Sequence, residues 1–313
     1  MLKLFRCYGL GGGLWHLSGA VDGVGKHMCV RERSVGLEGG LEFKILAPSS
    51  KEVPKALAPA AVSSDSHSDL LFDLQILRGN AYREYAPIAA SLLPDGRHSQ
   101  GPLDTQAWHV LMKSSAGQVV GCSRYRPIRG GFEQLACSKS ALAKSPITGP
   151  PLKAAFEQQM ALAHRRGIQF GEAGAWAIAE DARCSTAAVS IALMSFALAE
   201  RLGGGLGITT ATTRHRSSSI LRRLGGAPLG GFPPYYEPMF GCTIEVLQFD
   251  INRLEQRFAA KLEELRHELR RTPIICPAEV PHAVEQSPAR GFSIPAYLPS
   301  PMPAVPVLAG AVG

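Results

Sequence analysis

The chain has 313 residues, 45% of them hydrophobic and 19% charged, which is enough for one good core or two small ones. The net charge of +7 suits an anionic partner such as nucleic acid, a membrane or a phosphate-bearing cofactor. The basic residues lie in local clusters, and these clusters contain no DNA- or RNA-binding motif. We therefore expect no nucleic-acid partner. The seven cysteines are scattered and form no CxxC pair, which argues against a metal site. We expect a cytoplasmic protein, because such cysteines are typical of reduced thiols and no apolar run reaches the roughly 18 residues that a transmembrane helix needs.

The two ends have the composition of poorly ordered chain. Residues 1–65 carry many glycines and the stretch APSSKEVPKALAPAAVSSDSHSD, and residues 272–313 are rich in prolines that disfavour regular structure. We therefore predict a poorly ordered leader at 1–65, one folded domain at 66–250, an amphipathic helix at 251–271 and a disordered tail at 272–313.

The predicted domain alternates strands and helices. LLFDLQILRGNAYREYAPIAASLL is interpreted as a strand that leads into a helix, and AWHVLMKSSAGQVVGCSRYRPI as a hairpin. The apolar spacing of PLKAAFEQQMALAHRRG predicts a helix that Gly167 ends. Five elements follow: a strand at 169–179, a helix at about 185–202, a strand LGITTATT, a short helix RSSSILRRLGG and a strand TIEVLQFD. This alternation predicts an α/β sheet sandwiched by helices.

The last predicted helix, 251–270, carries one apolar stripe with spacings of three and four residues. The stripe consists of Ile251, Leu254, Phe258, Leu262, Leu265 and Leu269. We expect it to dock or to pair, which predicts self-association through 251–270. Because the helix also carries arginines, binding to a membrane surface is an alternative.

The helix at about 185–202 is apolar nearly all round, which predicts a buried helix whose N-terminus stays accessible at the sheet. The N–H groups and partial positive charge at such an end favour an anion such as phosphate. Small side chains there would let a diphosphate approach the backbone, and Arg183 adds a positive charge. The alternative is an ordinary core helix that Ser185 or Thr186 caps.

The order of these elements resembles that in the GNAT superfamily of N-acyltransferases: a strand, the motif Arg183-x-x-x-x-Ala188, a buried helix, a second strand and the segment ILRRLGG. The segments VVGCSRYRPI and PPYYEPMFGCTIEVLQFD are similar to segments of the acyl-homoserine-lactone synthases and N-acyl amino acid synthases, a branch of that superfamily. The resemblance spans about 70–250. It implies a GNAT-like, mixed and mostly antiparallel central sheet flanked by helices.

Single residues extend the resemblance to this branch. Glu172 begins a run that is similar to the synthase motif with a glutamate, and Arg78 is followed four residues later by Tyr82. Asp104 loosely matches an acidic residue ahead of the hairpin. The synthase arginine near the glutamate falls at Ala175, which would remove a cation beside Glu172 and puts lactone synthesis from S-adenosylmethionine in doubt.

The resemblance implies roles for these residues. Glu172 would act as the general base that takes a proton from the attacking amine, and the backbone N–H near Ile178 would polarise the thioester carbonyl. Arg124, Arg78 and Asp104 would bind the acceptor, with the Arg124 guanidinium suited to a carboxylate. The phosphates of the donor would be held by Arg183, Cys184, Ser185, Thr186, Ala187 and Ala188.

Structural alternatives stay open for several of these residues. The alternative for Glu172 is a purely structural strand-end carboxylate paired with Arg124, and one or both of Arg124 and Arg126 are alternatively part of a solvated face. Thr186 stands where the GNAT phosphate loop usually has glycine. Two further candidates are His215 or Ser219 as a contact of the pantetheine arm, and Tyr235 or Tyr236 as the acid that protonates the leaving thiolate. We do not expect a cysteine nucleophile, because no histidine partner for one is evident in the sequence.

The sequence therefore predicts an N-acyltransferase that moves an acyl group from acyl-CoA or an acyl-carrier protein to a primary amine such as an amino acid, without a metal. The basic balance suits an acidic carrier protein as partner. The alternative is a non-catalytic GNAT-like module that binds an acyl cofactor or a partner, which Thr186 and Ala175 favour.

Overall fold

A ten-stranded mixed sheet lies at the centre of the computed structural model, which describes residues 40–49, 53–85, 93–183, 185–214 and 216–278. The strands are β1 (Glu42–Leu46), β2 (Ala61–Ser63), β3 (Trp108–Lys113), β4 (Val119–Ile128), β5 (Gln169–Ile178), β6 (Gly204–Thr212), β7 (Ala227–Pro228), β8 (Tyr235–Glu237), β9 (Cys242–Asp250) and β10 (Ile274–Cys276). The helices are α1 (Ser66–Tyr85), α2 (Pro102–Thr105), α3 (Ala141–Lys144), α4 (Gly149–Arg165), α5 (Ala187–Arg201), α6 (Ser217–Arg223) and α7 (Ala259–Leu269).

The strand order is β2-β10-β1-β3-β4-β5-β6-β9-β7, and β8 pairs with β9. Most pairs are antiparallel; β5–β6, β1–β10 and β10–β2 are parallel. Helix α5 connects β5 to β6, as a parallel pair of consecutive strands requires a crossover. The mixed, mostly antiparallel sheet flanked by helices that the sequence predicts is therefore confirmed.

The period of two along β4 separates two layers. Ser123 points to α5, where its hydroxyl lies 2.5 Å from the hydroxyl of Ser195. Cys122 points to the other side, where it packs with the buried leucines of α1. Helices α5 and α7 cover the first face around one apolar core, and α1 and α4 cover the second face. The even residues of β4, which include Arg124 and Arg126, therefore lie between the sheet and the α1–α4 layer.

Most of the predicted elements are confirmed. The hairpin is β3–β4, and the elements from α4 to β9 follow in the predicted order. Gly167 and Gly203 follow α4 and α5 with φ values of 64° and 80°, the left-handed conformation with which many helices end.

The segment that begins at Leu70 is wrong as a strand, because α1 is helical from Ser66 onward. Leu70, Leu74 and Leu77 are all buried in one cluster, and their spacing of four and three is that of a helix. A short apolar run of this kind fits both the period of two of a strand and the period of 3.6 of a helix. The polar residues between the leucines favour the helical period.

Two strands, β1 and β2, lie inside the range 1–65 that is predicted as a leader, so that prediction is corrected for the described part of the range. Phe43 and Ile45 alternate into the core of the α5 face, a signal only five residues long. Residues 1–39 lie outside the described residues. At the other end, β10 corrects the predicted tail, because Ile274 and Cys276 are buried between β1 and β2; residues 279–313 lie outside the described part.

The last helix is shorter than predicted, and its apolar stripe is covered by the chain itself. Residues 251–253 and 256–258 form short 3-10 turns, the first of which Asp250 caps, before α7 begins at Ala259. The buried side chains of α7, which are Leu262, Leu265 and Leu269, pack into the same core as α5. The docking that the stripe predicts is therefore confirmed for these three leucines, and self-association through 251–270 stays a prediction. In the described part of the chain, the helices are too short or too polar to cross a bilayer.

Candidate active site

A fork between β5 and β6 is the central feature of the site. The two strands pair in parallel from Gln169 and Gly204 up to Glu172 and Ile208, and their pairing ends there. Beyond this point β5 continues to Ile178 along β4 only, and β6 continues along β9 only. Among the described residues, the two facing edges therefore have no ladder partner, and a ligand that enters the fork meets a row of backbone N–H and C=O groups.

A β-bulge turns β5 away from β6. Arg124 pairs with Gly174 and Cys122 with Ala177, so that the single residue Ser123 faces both Ala175 and Trp176. Ala175 has a φ of 51°, which is unusual for a residue other than glycine. A bulge increases local twist and bends its strand, which accounts for the divergence beyond Glu172.

The N-terminus of α5 lies at the open end of the fork. Ser185 and Thr186 are exposed, and Ala187 is buried. The Ser185 hydroxyl accepts from Ala187 N at 3.1 Å, so it satisfies one N–H of the first turn, whereas Thr186 makes no capping bond with its side chain. The end of the helix thus has the Ser185 contact of an ordinary cap and also remains accessible to solvent. Cys184 lies outside the described residues.

Arg183 and Ile178 meet at the same edge. The Arg183 Nε donates to Ile178 O at 3.2 Å. Ala179 N donates to Val120 O at 2.8 Å, so alternation along the strand directs the N–H of Ile178 away from β4 and toward the open edge. Glu172 lies six residues earlier on β5, at most about 20 Å away for a regular strand and less because the bulge lies between them. The role that the resemblance implies for the Ile178 N–H at the thioester carbonyl stays a prediction.

A buried network of charges lies on the α1–α4 face of β4 and β5. Arg78 donates from Nη1 to Asp104 Oδ1 at 2.8 Å and from Nη2 to Oδ2 at 2.5 Å, and both side chains are fully buried. Arg124 Nη1 lies 3.2 Å from Asp104 Oδ1 and also donates to the side-chain oxygen of Gln100. The structure therefore brings the three predicted acceptor-binding residues into one hydrogen-bonded group.

Burial and charge shift the pKa values of this group strongly. Burial alone would raise the pKa of Asp104, but the hydrogen bonds and charge of Arg78 outweigh it and hold that pKa well below its usual range. Burial, aided by the charge of Arg78, lowers the pKa of His98 to about 4. Burial likewise lowers the pKa of His109 to about 3, although its Nε2 lies 2.9 Å from Asp104 O. Both imidazoles are therefore neutral at neutral pH.

Glu172 lies beside this network and is only 4% exposed. Its Oε1 accepts from Ala136 N at 2.7 Å, and its Oε2 lies 3.4 Å from Nη2 of Arg126, the residue that faces it across the two strands. Arg126 also donates to Gln134 O. Burial raises the pKa of Glu172, and the charges of Arg124 and Arg126 and the backbone N–H groups that it accepts from oppose the rise.

Arg126 is the functional candidate that the sequence analysis missed. Ala175 indicated that the cation beside the glutamate was lost, yet Arg126 supplies one from the neighbouring strand. The expectation of a solvated face for Arg124 or Arg126 is wrong, because the two side chains are 3% and 8% exposed. The ion-pair partner of Glu172 is Arg126 rather than Arg124.

An apolar cavity adjoins the fork on the α5 face. Ala173 and Ile208 line it at the apex of the fork, and Phe196, Ala199 and Phe249 are among its other lining residues. Tyr125 and Ser195 are the polar side chains among its lining residues. The cavity therefore begins next to Glu172 but on the other face of the sheet.

The other candidates are exposed, lie outside the described residues or are chemically unreactive. Ser219 is exposed on α6, Tyr236 is 62% exposed, and His215 lies outside the described residues. Burial raises the pKa of the Cys122 thiol to about 11, which disfavours a thiolate nucleophile, and burial also raises the pKa values of the Cys137 and Cys242 thiols. Within the described residues, no three His, Cys, Asp or Glu side chains are grouped to hold a metal ion.

No protein-family model matches the chain, and no curated protein does. Solved structures do match, all at low identity. FeeM, an N-acyl amino acid synthase from uncultured soil microbes, has 10% identity and a TM-score of 0.42, with 69% of this chain and 93% of that chain covered. BjaI, a CoA-dependent acyl-homoserine lactone synthase, has 16% identity and a TM-score of 0.41, with 75% and 92% covered. The acyl-homoserine lactone synthase LasI has 14% identity and a TM-score of 0.40, with 67% and 90% covered. These proteins belong to the branch that the sequence motifs resemble, but a likeness this distant assigns no activity to the chain.

Proposed function

We propose that this chain is an N-acyltransferase that moves an acyl group from an acyl thioester to a primary amine such as an amino acid. The observation that carries the proposal is the fork whose pairing ends at Glu172 and Ile208, with the charge network on one face and an apolar cavity on the other. A thioester in the fork would lie between an acceptor site and an apolar site.

The donor is proposed to lie along the open edge of β5. Its diphosphate would bind at residues 183–188, where the exposed start of α5 and the Arg183 charge favour an anion. The pantetheine arm would then run toward Glu172 and pair with the strand, with Ile178 N–H as one contact. The segment of β5 from Ile178 to Glu172 spans roughly 15–20 Å with its bulge, which is comparable with an extended arm of this kind.

Glu172 is proposed as the general base. The amine nitrogen attacks the thioester carbon, the new C–N bond forms, the C–S bond breaks, and the amine proton passes to the Glu172 carboxylate directly or through a water. The thiolate that leaves takes up a proton. A glutamate of ordinary pKa is a weak base, and burial raises the pKa of Glu172 toward the useful range.

An acceptor with a carboxylate fits the charge of the network. Arg78, Arg124 and Arg126 are buried together with two carboxylates, Asp104 and Glu172, which leaves one positive charge in excess when Glu172 is ionised. Buried charge is costly without a partner, so an anionic acceptor such as an amino acid would complete the network. Arg124 and Arg126, which neighbour Glu172, are the proposed carboxylate ligands.

Coenzyme A and an acyl-carrier protein are both proposed as donors, and the cell compartment is proposed to be the cytoplasm. The net charge of +7 supports a carrier protein, because an acidic carrier would be attracted to it.

The test is to mix the purified chain with acyl thioesters of both kinds and a panel of amino acids, to measure free thiol, and to identify N-acyl products by mass spectrometry. Thiol release that depends on an amine, and a product with the mass of the N-acyl amino acid, are expected. Thiol release without any N-acyl product would contradict the proposal, because it would indicate hydrolysis.

One observation favours a second function, a non-catalytic module that binds an acyl cofactor. Glu172 is nearly inaccessible, and the segment with Ala136 covers it. If the segment stays closed, an amine cannot reach the carboxylate. Tight binding of an acyl-CoA without turnover over the whole amine panel would decide for this alternative.

A further inference from the structure

The positive charge of Arg124 is incompletely compensated in the buried network. Asp104 accepts two hydrogen bonds from Arg78, at 2.8 Å and 2.5 Å, whereas Arg124 Nη1 lies 3.2 Å from Asp104 Oδ1. Burial lowers the pKa of Arg124 in spite of the neighbouring carboxylates. A buried cation whose nearest carboxylate is shared with a second arginine favours a further anion.

The other hydrogen-bond acceptor of Arg124 is a neutral group, the side-chain oxygen of Gln100. Gln100 is half-buried and its neighbours Ser99 and Gly101 are exposed, so its side chain lies on the solvent side of Arg124. The backbone of Gln100 is held separately, because its N–H donates to Asp104 Oδ2 at 3.0 Å. A rotation of the side chain alone would therefore release Arg124 Nη1 without moving the backbone.

The Arg124 guanidinium can donate more than Gln100 accepts. Among the described residues, both of its hydrogen bonds are made by Nη1. The register partner of Arg124 on β5 is Gly174, and a methyl group at Gly174 would lie 3.7 Å from Arg124 Nη2, so Nη2 lies over a strand position without a side chain. A carboxylate can accept from Nη1 and Nη2 together and brings a negative charge, whereas the Gln100 oxygen accepts from Nη1 and brings none.

We propose that the Gln100 side chain occupies the acceptor-carboxylate site in the free protein, and that the carboxylate of an α-amino acid displaces it from Arg124. The inference rests on the proposed function, which assigns Arg124 as a ligand of the acceptor carboxylate. Gly174 lies two residues beyond Glu172 on β5, at most about 7 Å along the strand. An amine on the carbon next to the bound carboxylate would therefore lie near Glu172. Gln100 is thus a specificity-determining residue, because acceptors without a carboxylate leave it in place.

The test compares each amino acid that is turned over with its own amide, in which a carbamoyl group replaces the carboxylate, in wild type and in Gln100→Glu. The introduced carboxylate is expected to remain on Arg124. The ratio of kcat/KM for the amino acid to kcat/KM for its amide should then fall at least about tenfold, mainly through a higher KM for the amino acid. The matched control is Gln106→Glu, which adds the same charge at an exposed position six residues later and should keep the ratio of wild type.

Two further measurements separate displacement from a merely structural role of Gln100. Gln100→Ala removes the group that the acceptor displaces, so KM for amino acids is expected to fall by roughly two- to tenfold, the equivalent of one hydrogen bond. The thermal midpoint of Gln100→Glu should exceed that of wild type, since the added carboxylate compensates the buried charge of Arg124, and Gln106→Glu should stay close to wild type. The thermal measurement requires no turnover.

Three results would overturn the inference and leave the proposed function intact: an unchanged ratio in Gln100→Glu, a raised KM in Gln100→Ala, or a thermal midpoint of Gln100→Glu at or below that of wild type. A raised KM would make Gln100 itself a ligand of the acceptor. Turnover with amines that lack a carboxylate, and with no amino acid, would also overturn it. If no thioester is turned over with any amine, the proposed function fails and the inference fails with it.

Discussion

Arg126 and Glu172 face each other as register partners on β4 and β5, and Nη2 of Arg126 lies 3.4 Å from the Glu172 carboxylate. The same guanidinium donates to Gln134 O, and Glu172 accepts from Ala136 N, so the pair also fixes the segment that covers it. An arginine on β5 itself would have to replace Ala175, whose φ of 51° places it in the bulge. The neighbouring strand supplies the cation without disturbing the bulge.

Glu172→Gln is expected to reduce kcat/KM for amine-dependent thiol release by roughly 10²- to 10⁴-fold, because an amide cannot take up the amine proton. The matched control is Glu237→Gln, a second buried carboxylate that accepts a backbone N–H, from Ala141 at 2.9 Å, but lies on β8 away from the fork. Steady-state kinetics of wild type and both variants measure kcat/KM, and Glu237→Gln is expected to keep the value of wild type. Equal activity of Glu172→Gln and wild type would assign Glu172 a purely structural role.

Arg126→Met is expected to shift the acidic limb of the pH–rate profile upward by roughly one to three pH units. The charge of Arg126 opposes the raised pKa of Glu172, so its removal raises this pKa further, and the base then loses its proton only at higher pH. The profile of kcat/KM against pH measures the shift. Arg129→Met, at an exposed position just beyond β4, serves as control and should leave the limb in place. A downward shift in Arg126→Met would contradict the assignment of the limb to Glu172.

Asp104→Asn is expected to lower the free energy of unfolding by about 3–5 kcal/mol, because Arg78 and Arg124 then remain buried without a carboxylate. Urea unfolding at pH 7 measures this. The control is Glu133→Gln, which removes an ion pair with Lys153 at 3.3 Å on the surface, where the Glu133 and Lys153 side chains are 72% and 48% exposed. This control should lower the free energy of unfolding by less than about 1 kcal/mol. Equal losses in the two variants would show that the buried network contributes nothing beyond a surface pair.

The free energy of unfolding is expected to fall as the pH falls from about 6.5 toward 4. The pKa values of His98 and His109 are lowered by burial to about 4 and about 3, so the unfolded chain binds protons in this range that the folded chain does not. Each histidine contributes a slope of up to about 1.4 kcal/mol per pH unit. The raised pKa of Glu172 acts in the opposite direction, since its protonation on acidification favours the folded state.

Urea unfolding of His109→Gln and wild type between pH 7 and pH 5 isolates the histidine. The variant should show a smaller slope, and His164→Gln, at an exposed position on α4, should keep that of wild type. A slope that His109→Gln does not change would mean that His109 is already charged in the folded protein.

The sequence predicts the elements with long, regular patterns and the site residues that lie on them. Arg124 and Glu172 are on two strands that the sequence predicts, and the structure brings Arg124 together with Arg78 and Asp104. The pairing of Arg126 with Glu172 could not be predicted, because it depends on the register between β4 and β5. The pattern of either strand alone does not determine that register. Strand β10 could not be predicted either, since three residues carry too little periodicity and gain their stability from pairing with β1 and β2.

The most direct measurement of the central claim is a crystal structure of the protein with an acyl-CoA analogue in which a methylene group replaces the thioester sulfur. The account predicts the diphosphate at residues 183–188, the pantetheine arm along the open edge of β5, and the carbonyl carbon at the fork beside Glu172. An analogue bound elsewhere on the surface, or one whose acyl carbon lies far from Glu172, would contradict it.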